Sequence, residues 1–198
     1  MNLRTLLLVL CVLAVTCSTA FAHPQHGISN AGALAAGFSH PWLGLDHLLA
    51  MIAVGLLSVQ FGGRAIWGLP ASFLGMMFLG GALGVSGLEF HLVEYAIALS
   101  AVILGVALAL GRKYPLAAAA AVIGTFGLMH GHAHGTEMPA MAAPALYAAG
   151  FLSATLLLHL AGIAGGMCVV RSRRWAVGLQ WSGAAISCAG LLLLLKAM

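Results

Sequence analysis

Charged residues are scarce in this sequence of 198 amino acids. Lysine and arginine together number eight, aspartate and glutamate number four, and hydrophobic residues make up 62% of the chain. So few charges cannot solvate the surface of a water-soluble domain of this size, which excludes a soluble enzyme. The net charge of +4 comes from short, separate stretches rather than from a continuous basic patch, so we expect no nucleic-acid partner. The composition instead indicates an integral membrane protein surrounded by a lipid bilayer.

Cysteine is also scarce, with four residues in the chain. Cys11 and Cys17 belong to an N-terminal leader, so Cys168 and Cys188 are the two that remain in the mature protein. They occupy different depths of their apolar segments, so we expect no disulfide and expect both to be buried as small apolar residues. Without a cluster of thiolates, structural zinc sites and cuprous sites are disfavoured.

The first 22 residues have the pattern of a cleaved secretory signal peptide. The basic start MNLR is followed by the apolar stretch TLLLVLCVLAVT and then by CSTAFA, in which Ala20 and Ala22 occupy the small positions before a cleavage point. Cleavage after Ala22 would leave residues 23–198 as a single mature membrane domain that begins at His23. An uncleaved first transmembrane helix is the alternative.

Six apolar segments of spanning length follow, which predicts an all-α integral membrane protein with a six-transmembrane-helix bundle. They cover roughly residues 42–60, 65–85, 92–111, 115–133, 145–170 and 175–197. Glycines recur at four-residue spacing, which predicts closely packed helices. The pairs are Gly80 with Gly84, Gly131 with Gly135, and Gly162 with Gly166.

The stretch SNAGALAAGFS before the first segment is too short and too glycine-rich to cross the bilayer separately. We expect it to form a short helix that lies at the outer surface or dips partly into the membrane. A continuous helix from Asn30 to Phe61 would measure about 48 Å, well beyond a hydrocarbon core of roughly 30 Å. Pro41 is the natural break and would place His40 at a bend.

Basic residues are distributed unevenly among the predicted loops. The loops on one side contain Arg64, Arg112, Lys113, Arg171, Arg173 and Arg174, whereas those on the other contain Glu89, Glu94 and Glu137 and no lysine or arginine. Because cytoplasmic loops carry the positive excess, this pattern predicts a periplasmic mature N-terminus in a bacterial inner membrane. The leader predicts the same orientation independently.

Histidine and carboxylate residues gather at the predicted outer side in two motifs. HPWLGLDH contains His40, Asp46 and His47. MHGHAHGTE contains His130, His132, His134 and Glu137; in a regular helix His132 points away from the other three, unless the flanking glycines let the helix unwind. Ionisable groups within a membrane usually face the bundle interior and line ion paths. Imidazole and carboxylate together suit divalent nickel, cobalt, zinc or copper, so the motifs predict a transition-metal site that is entered from outside.

Three further histidines are candidates for metal handling. His23 would carry the new α-amine after cleavage and has His26 nearby, so the mature N-terminal tail could capture metal first. His159, near mid-membrane, either bonds structurally across helices or forms a second station of a permeation path, and the residues leave both readings open.

Both motifs resemble the signatures of the HupE/UreJ family of nickel and cobalt permeases, and the likeness extends over essentially the whole chain. The resemblance implies a secondary transporter that imports Ni²⁺ or Co²⁺ from periplasm to cytoplasm, with the ion as substrate and no prosthetic group. Hydrogenase, urease and cobalamin synthesis are the pathways such a permease supplies, and its oligomeric state, homo-oligomers included, stays open. The implied metal-handling residues are His40, Asp46, His47, His130, His134 and Glu137.

The rival interpretation is an intramembrane zinc-dependent hydrolase, in which the same histidines hold zinc and a carboxylate activates water. The sequence has no Gly-x-Ser-x-Gly nucleophile motif, and the paired motifs favour a permease over an enzyme. It also has no nucleotide-binding loop, so we expect transport without ATP hydrolysis by this chain.

Overall fold

A computed structural model describes residues 29–140, 142–170 and 175–197, and within these residues the fold is all-helical. The predicted signal peptide, the tail histidines His23 and His26, and the loop arginines Arg171, Arg173 and Arg174 lie outside the described residues. The seven described helices are α1 (Asn30–Leu43), α2 (Leu45–Phe61), α3 (Ala65–Val85), α4 (Val93–Leu110), α5 (Leu116–Thr136), α6 (Pro144–Val170) and α7 (Trp175–Ala197).

Five of these helices, α3 to α7, are long and apolar enough to cross a membrane. The bent pair α1 and α2 passes the same test together and gives a sixth candidate span. The predicted all-α membrane fold is thereby confirmed. The observed bounds lie close to the predicted segments because hydropathy sets the length of a span, while glycine and proline set its ends.

The first span bends at Gly44, and the prediction of a break at Pro41 was wrong. Helix α1 continues through the buried Pro41 to Leu43, and α1 and α2 then meet at 81°. Pro41 removes one backbone hydrogen bond, the one that residue 41 would donate to the carbonyl of Gly37, and the helix nevertheless continues for two more residues. Gly44 has an extended backbone (φ −88°, ψ 112°) that ends α1 and begins α2.

Helices α3 and α5 pack with their backbones in direct contact. A Cβ atom on Gly131 would overlap the carbonyl oxygen of Met77, and one on Gly80 would overlap that of Leu128. Only glycine permits this approach, as the four-residue glycine spacing predicts. Gly131 lies between two histidines of the second motif, so the packing also sets where those histidines stand.

The other helices pack around this pair. Both α1 and α2 lie against α6, α4 lies against α7, and α3 also contacts α6. Buried Phe73, Met77 and Tyr147 are among the largest side chains of the core. One end of the bundle therefore brings together the start of α2 and the end of α5, where the two motifs are located.

The two cysteines of the described chain are not buried. Cys168 and Cys188 are both free, as expected, but both are exposed on the surface of the isolated chain, so the prediction of burial was wrong. In a membrane protein the outer surface faces lipid, where a small weakly polar thiol is accommodated without a protein partner.

Candidate metal site

Three histidines from three helices converge at one end of the bundle. His40 lies on α1, His47 on α2 and His134 on α5, and one nitrogen of each lies within 4.8 Å of the others. Nitrogen ligands bind zinc at about 2.0–2.1 Å, so three nitrogens spaced evenly around one ion stand about 3.6 Å apart or less. Each nitrogen of this cluster, the three-histidine site, therefore has to move inward by up to about 0.7 Å to bind one shared ion.

His134 is the most unusual member of the three-histidine site. It is fully buried, and among the described residues neither of its ring nitrogens has a hydrogen-bond partner. Its ring stacks on Phe151 with a centroid separation of 4.7 Å and an interplanar angle of 5°, which holds it in one orientation. A buried polar group without a partner costs roughly 1–3 kcal/mol, so the arrangement calls for a ligand from outside the chain.

Asp46 orients His47. Its Oδ1 atom accepts hydrogen bonds from His47 Nδ1 at 2.9 Å and from the His47 backbone N–H at 2.8 Å. With the proton held on Nδ1, the lone pair is on Nε2, which is buried and has no hydrogen-bond partner among the described residues. A carboxylate that fixes an imidazole in this way is the usual support of a metal-binding histidine. Gly44 leaves room for the pair, because a Cβ there would lie 2.9 Å from His47 Nδ1.

His40 is held by two partners. Its Nε2 atom lies 2.9 Å from Glu137 Oε2 and donates to it, and the hydroxyl of Tyr147 lies 3.4 Å from Nδ1. The hydrogen bond from His40 lowers the pKa of Glu137 below its ordinary value of 4.5, so this carboxylate is ionised at neutral pH. An ion bound through either nitrogen of His40 would displace one of these two hydrogen bonds.

The remaining histidines of the second motif lie on different sides of α5. His130 is fully buried, donates from Nδ1 to Phe126 O at 2.8 Å, and has its ring 4.9 Å from that of His47. His132 bonds through Nε2 to the carbonyl oxygen of Leu88 and stacks on Phe90. The helix stays regular here, so His132 points away from the three-histidine site.

Two side chains of the site carried no signal in the sequence. Tyr147 and Phe151 lie one turn apart on α6, where they contact His40 and His134 respectively. Both positions fall within an apolar segment, where aromatic residues are ordinary core residues. Their spacing of four residues predicts a shared helix face but not which histidine that face contacts.

The chain is similar to known proteins over most of its length. Residues 10–193 match the protein family described as HupE / UreJ protein. The chain is also 42% identical over 183 residues to "Protein HupE" of Rhizobium leguminosarum bv. viciae, an alignment that covers 92% of this chain and 94% of that protein. No solved structure matches the chain.

Proposed function

This chain belongs to the HupE/UreJ family, which is related to nickel and cobalt transport, and from that membership we propose that it imports Ni²⁺, or in second place Co²⁺, into the cell. The ion is the substrate and enters through the three-histidine site. Family membership supports a metal permease and favours transport over intramembrane hydrolysis.

The observation that carries the proposal is the state of His134. Its imidazole is fully buried, and both ring nitrogens are unpartnered among the described residues. One of these nitrogens lies within 4.8 Å of a ring nitrogen of His40 and of one of His47. Without a ligand at this position, the unpartnered nitrogens of the buried His134 would destabilise the fold. A divalent ion supplies the missing partner.

The chemistry of the surrounding groups supports a transition-metal ion as cargo. Neutral imidazoles are good ligands for nickel, cobalt and zinc, whereas Mg²⁺ and Ca²⁺ prefer oxygen. We propose that His40, His47 and His134 replace part of the hydration shell and that His130 receives the ion next. Asp46 and Glu137 hold imidazoles in place and balance the positive charge of the ion. Ligands on several helices that bind only moderately allow the ion to leave again.

The charge distribution supports entry from the periplasm. The end of the bundle that contains the three-histidine site also carries Glu89, Glu94 and Glu137, while Arg64, Arg112 and Lys113 belong to loops at the other end. Carboxylates at the entrance raise the local concentration of divalent cations. The positive loops would face the cytoplasm of a bacterial inner membrane.

Uptake of radioactive Ni²⁺ tests the proposal. Proteoliposomes with wild-type protein should accumulate the ion. Proteoliposomes with His47→Ala protein should accumulate at least tenfold less, because the substitution removes both a metal ligand and the partner of Asp46. Loss of such groups typically lowers metal affinity or activity about 10–100-fold. The exposed His91, which is outside the three-histidine site, provides the control variant His91→Ala, with uptake within about twofold of wild type. Normal uptake by His47→Ala protein, or none by wild type, would overturn the assignment.

A further inference from the structure

His159 lies near the middle of α6 and is fully buried. Its Nδ1 atom donates a hydrogen bond of 2.9 Å to the backbone carbonyl oxygen of Met51 on α2. This bond gives Nδ1 a partner and fixes the ring between the two helices. The second ring nitrogen, Nε2, takes no part in it.

The second ring nitrogen of His159, Nε2, is in the protonation state that a metal ligand requires. With the proton on Nδ1, the Nε2 atom carries a lone pair, and it has no hydrogen-bond partner among the described residues. His130 has the same arrangement, since its Nδ1 bonds to Phe126 O while its Nε2 is unpartnered. Metal-binding histidines almost always donate their second nitrogen to a carbonyl or a carboxylate, as both of these do.

The ring of Phe73 contacts both His130 and His159. The centroid of His130 lies 4.9 Å from that of His47 and 5.3 Å from that of Phe73. The next ring beyond Phe73 is His159, with a centroid separation of 5.1 Å. Contacts between rings thus connect the three-histidine site with His159 through His130 and Phe73, and of these two connecting rings Phe73 is the one that cannot bind a metal.

Thr155 provides a second unpartnered polar group beside His159. It lies one helical turn earlier on the same face of α6, is fully buried, and has no hydrogen-bond partner for its hydroxyl among the described residues. A threonine in a helix commonly bonds back to a carbonyl of the preceding turn, but this one does not. Two polar groups left open in the core of a membrane protein are costly unless they serve a ligand.

We propose that His159 Nε2 and the Thr155 hydroxyl form a second coordination station for the divalent cation, deeper in the membrane than the three-histidine site, with the ring of Phe73 in contact with both His130 and His159. The identity of the cargo rests on the proposed function. One imidazole and one hydroxyl leave most of the coordination shell to water, so this deeper station holds the ion weakly and releases it readily.

Two substitutions separate this role from a structural one. In His159→Asn, the amide nitrogen stands near the position of Nδ1 and can still donate to Met51 O, but the ligand atom Nε2 is gone. In Thr155→Val, the shape is kept and an unpartnered hydroxyl is removed, so the thermal unfolding midpoint should not fall. The two variants therefore test the deeper station without removing the contact between α2 and α6.

Kinetics of radioactive Ni²⁺ uptake into proteoliposomes, together with Ni²⁺ titration of the purified protein in detergent, give the readout. We expect His159→Asn to lower the maximal rate about tenfold and to leave the half-saturating concentration and the titrated affinity within about threefold, because entry is unchanged and onward movement is blocked. Thr155→Val should lower the maximal rate about threefold.

The outcomes distinguish this inference from the proposed function. If wild type transports Ni²⁺ and His159→Asn matches it, the deeper station is wrong and the proposed function stands. A raised half-saturating concentration with an unchanged maximal rate would also overturn it, because His159 would then belong to entry. If His159→Asn fails to fold, Thr155→Val provides the test. An unchanged maximal rate of Ni²⁺ uptake in that variant would contradict the deeper station. Absence of wild-type uptake would contradict the proposed function itself.

Discussion

His40 on α1 donates a hydrogen bond of 2.9 Å to Glu137 at the end of α5. This contact joins the first motif to the second across the open end of the three-histidine site. Both groups are partly accessible, with side-chain exposures of 30% for His40 and 44% for Glu137. In the proposed route, an arriving ion would therefore meet this pair before it reaches the buried His47 and His134.

Removal of the Glu137 carboxylate should weaken ion entry. Glu137→Ala leaves His40 without its acceptor, and we expect the half-saturating concentration of Ni²⁺ uptake to rise about tenfold. Glu137→Gln keeps an oxygen that accepts from His40 but loses the negative charge, so its effect should be smaller, about threefold. Uptake kinetics of both variants in proteoliposomes provide the measurement. A larger defect in Glu137→Gln than in Glu137→Ala would contradict the role given to this hydrogen bond.

Acid should weaken uptake. A proton on an imidazole nitrogen occupies the lone pair that the metal needs, so the initial rate at fixed Ni²⁺ should fall as the outer solution is made acidic. Glu137 does not cause this loss, because its lowered pKa keeps it ionised above its ordinary value of 4.5. The Glu137→Gln variant should therefore show a pH profile of the same shape. A profile that flattens in this variant would assign the titration to the carboxylate instead.

Gly131→Ala should damage both the fold and the site. The added Cβ overlaps the carbonyl oxygen of Met77, so α5 must move away from α3 and take His130 and His134 with it. Strain of this kind costs about 1–3 kcal/mol, which should lower the unfolding midpoint in detergent and reduce Ni²⁺ uptake together. Gly75→Ala is the matched control on α3. A Cβ at this position would have no atom of the described residues within 4 Å, apart from the adjacent residues and the backbone of its own helix. Equal behaviour of the two variants would refute the packing argument.

The mature N-terminal tail should bind nickel if the leader is cleaved after Ala22. The α-amine and imidazole of His23 then form an adjacent pair of nitrogen donors, with His26 nearby. Spectroscopic titration of the peptide HPQHGIS should show Ni²⁺ binding that acetylation of its amine weakens. The same affinity before and after acetylation would remove the tail from the proposed path.

The spans could be predicted from the sequence more completely than the site. Apolar length identified the crossing helices, since a bilayer imposes it on any sequence. The bend was misplaced because Pro41 and Gly44 are both plausible breaks in the sequence, whereas in the structure α1 ends and α2 begins at the extended Gly44. The acceptor of His159 is a backbone carbonyl, which every residue possesses, so no residue type could have indicated Met51 as its partner.

The 81° bend at Gly44 has a consequence for how cargo and protein movement are connected. It places His40 and His47 on two helices that both lean on α6, while His134 belongs to α5, which is packed against α3. An ion held by all three imidazoles would therefore connect the helices α1 and α2, which pack on α6, with the tightly packed pair α3 and α5. By linkage, ion binding would favour the spacing of these helices in which the three imidazoles bind the ion most tightly, and a change in that spacing would in turn change the affinity for the ion.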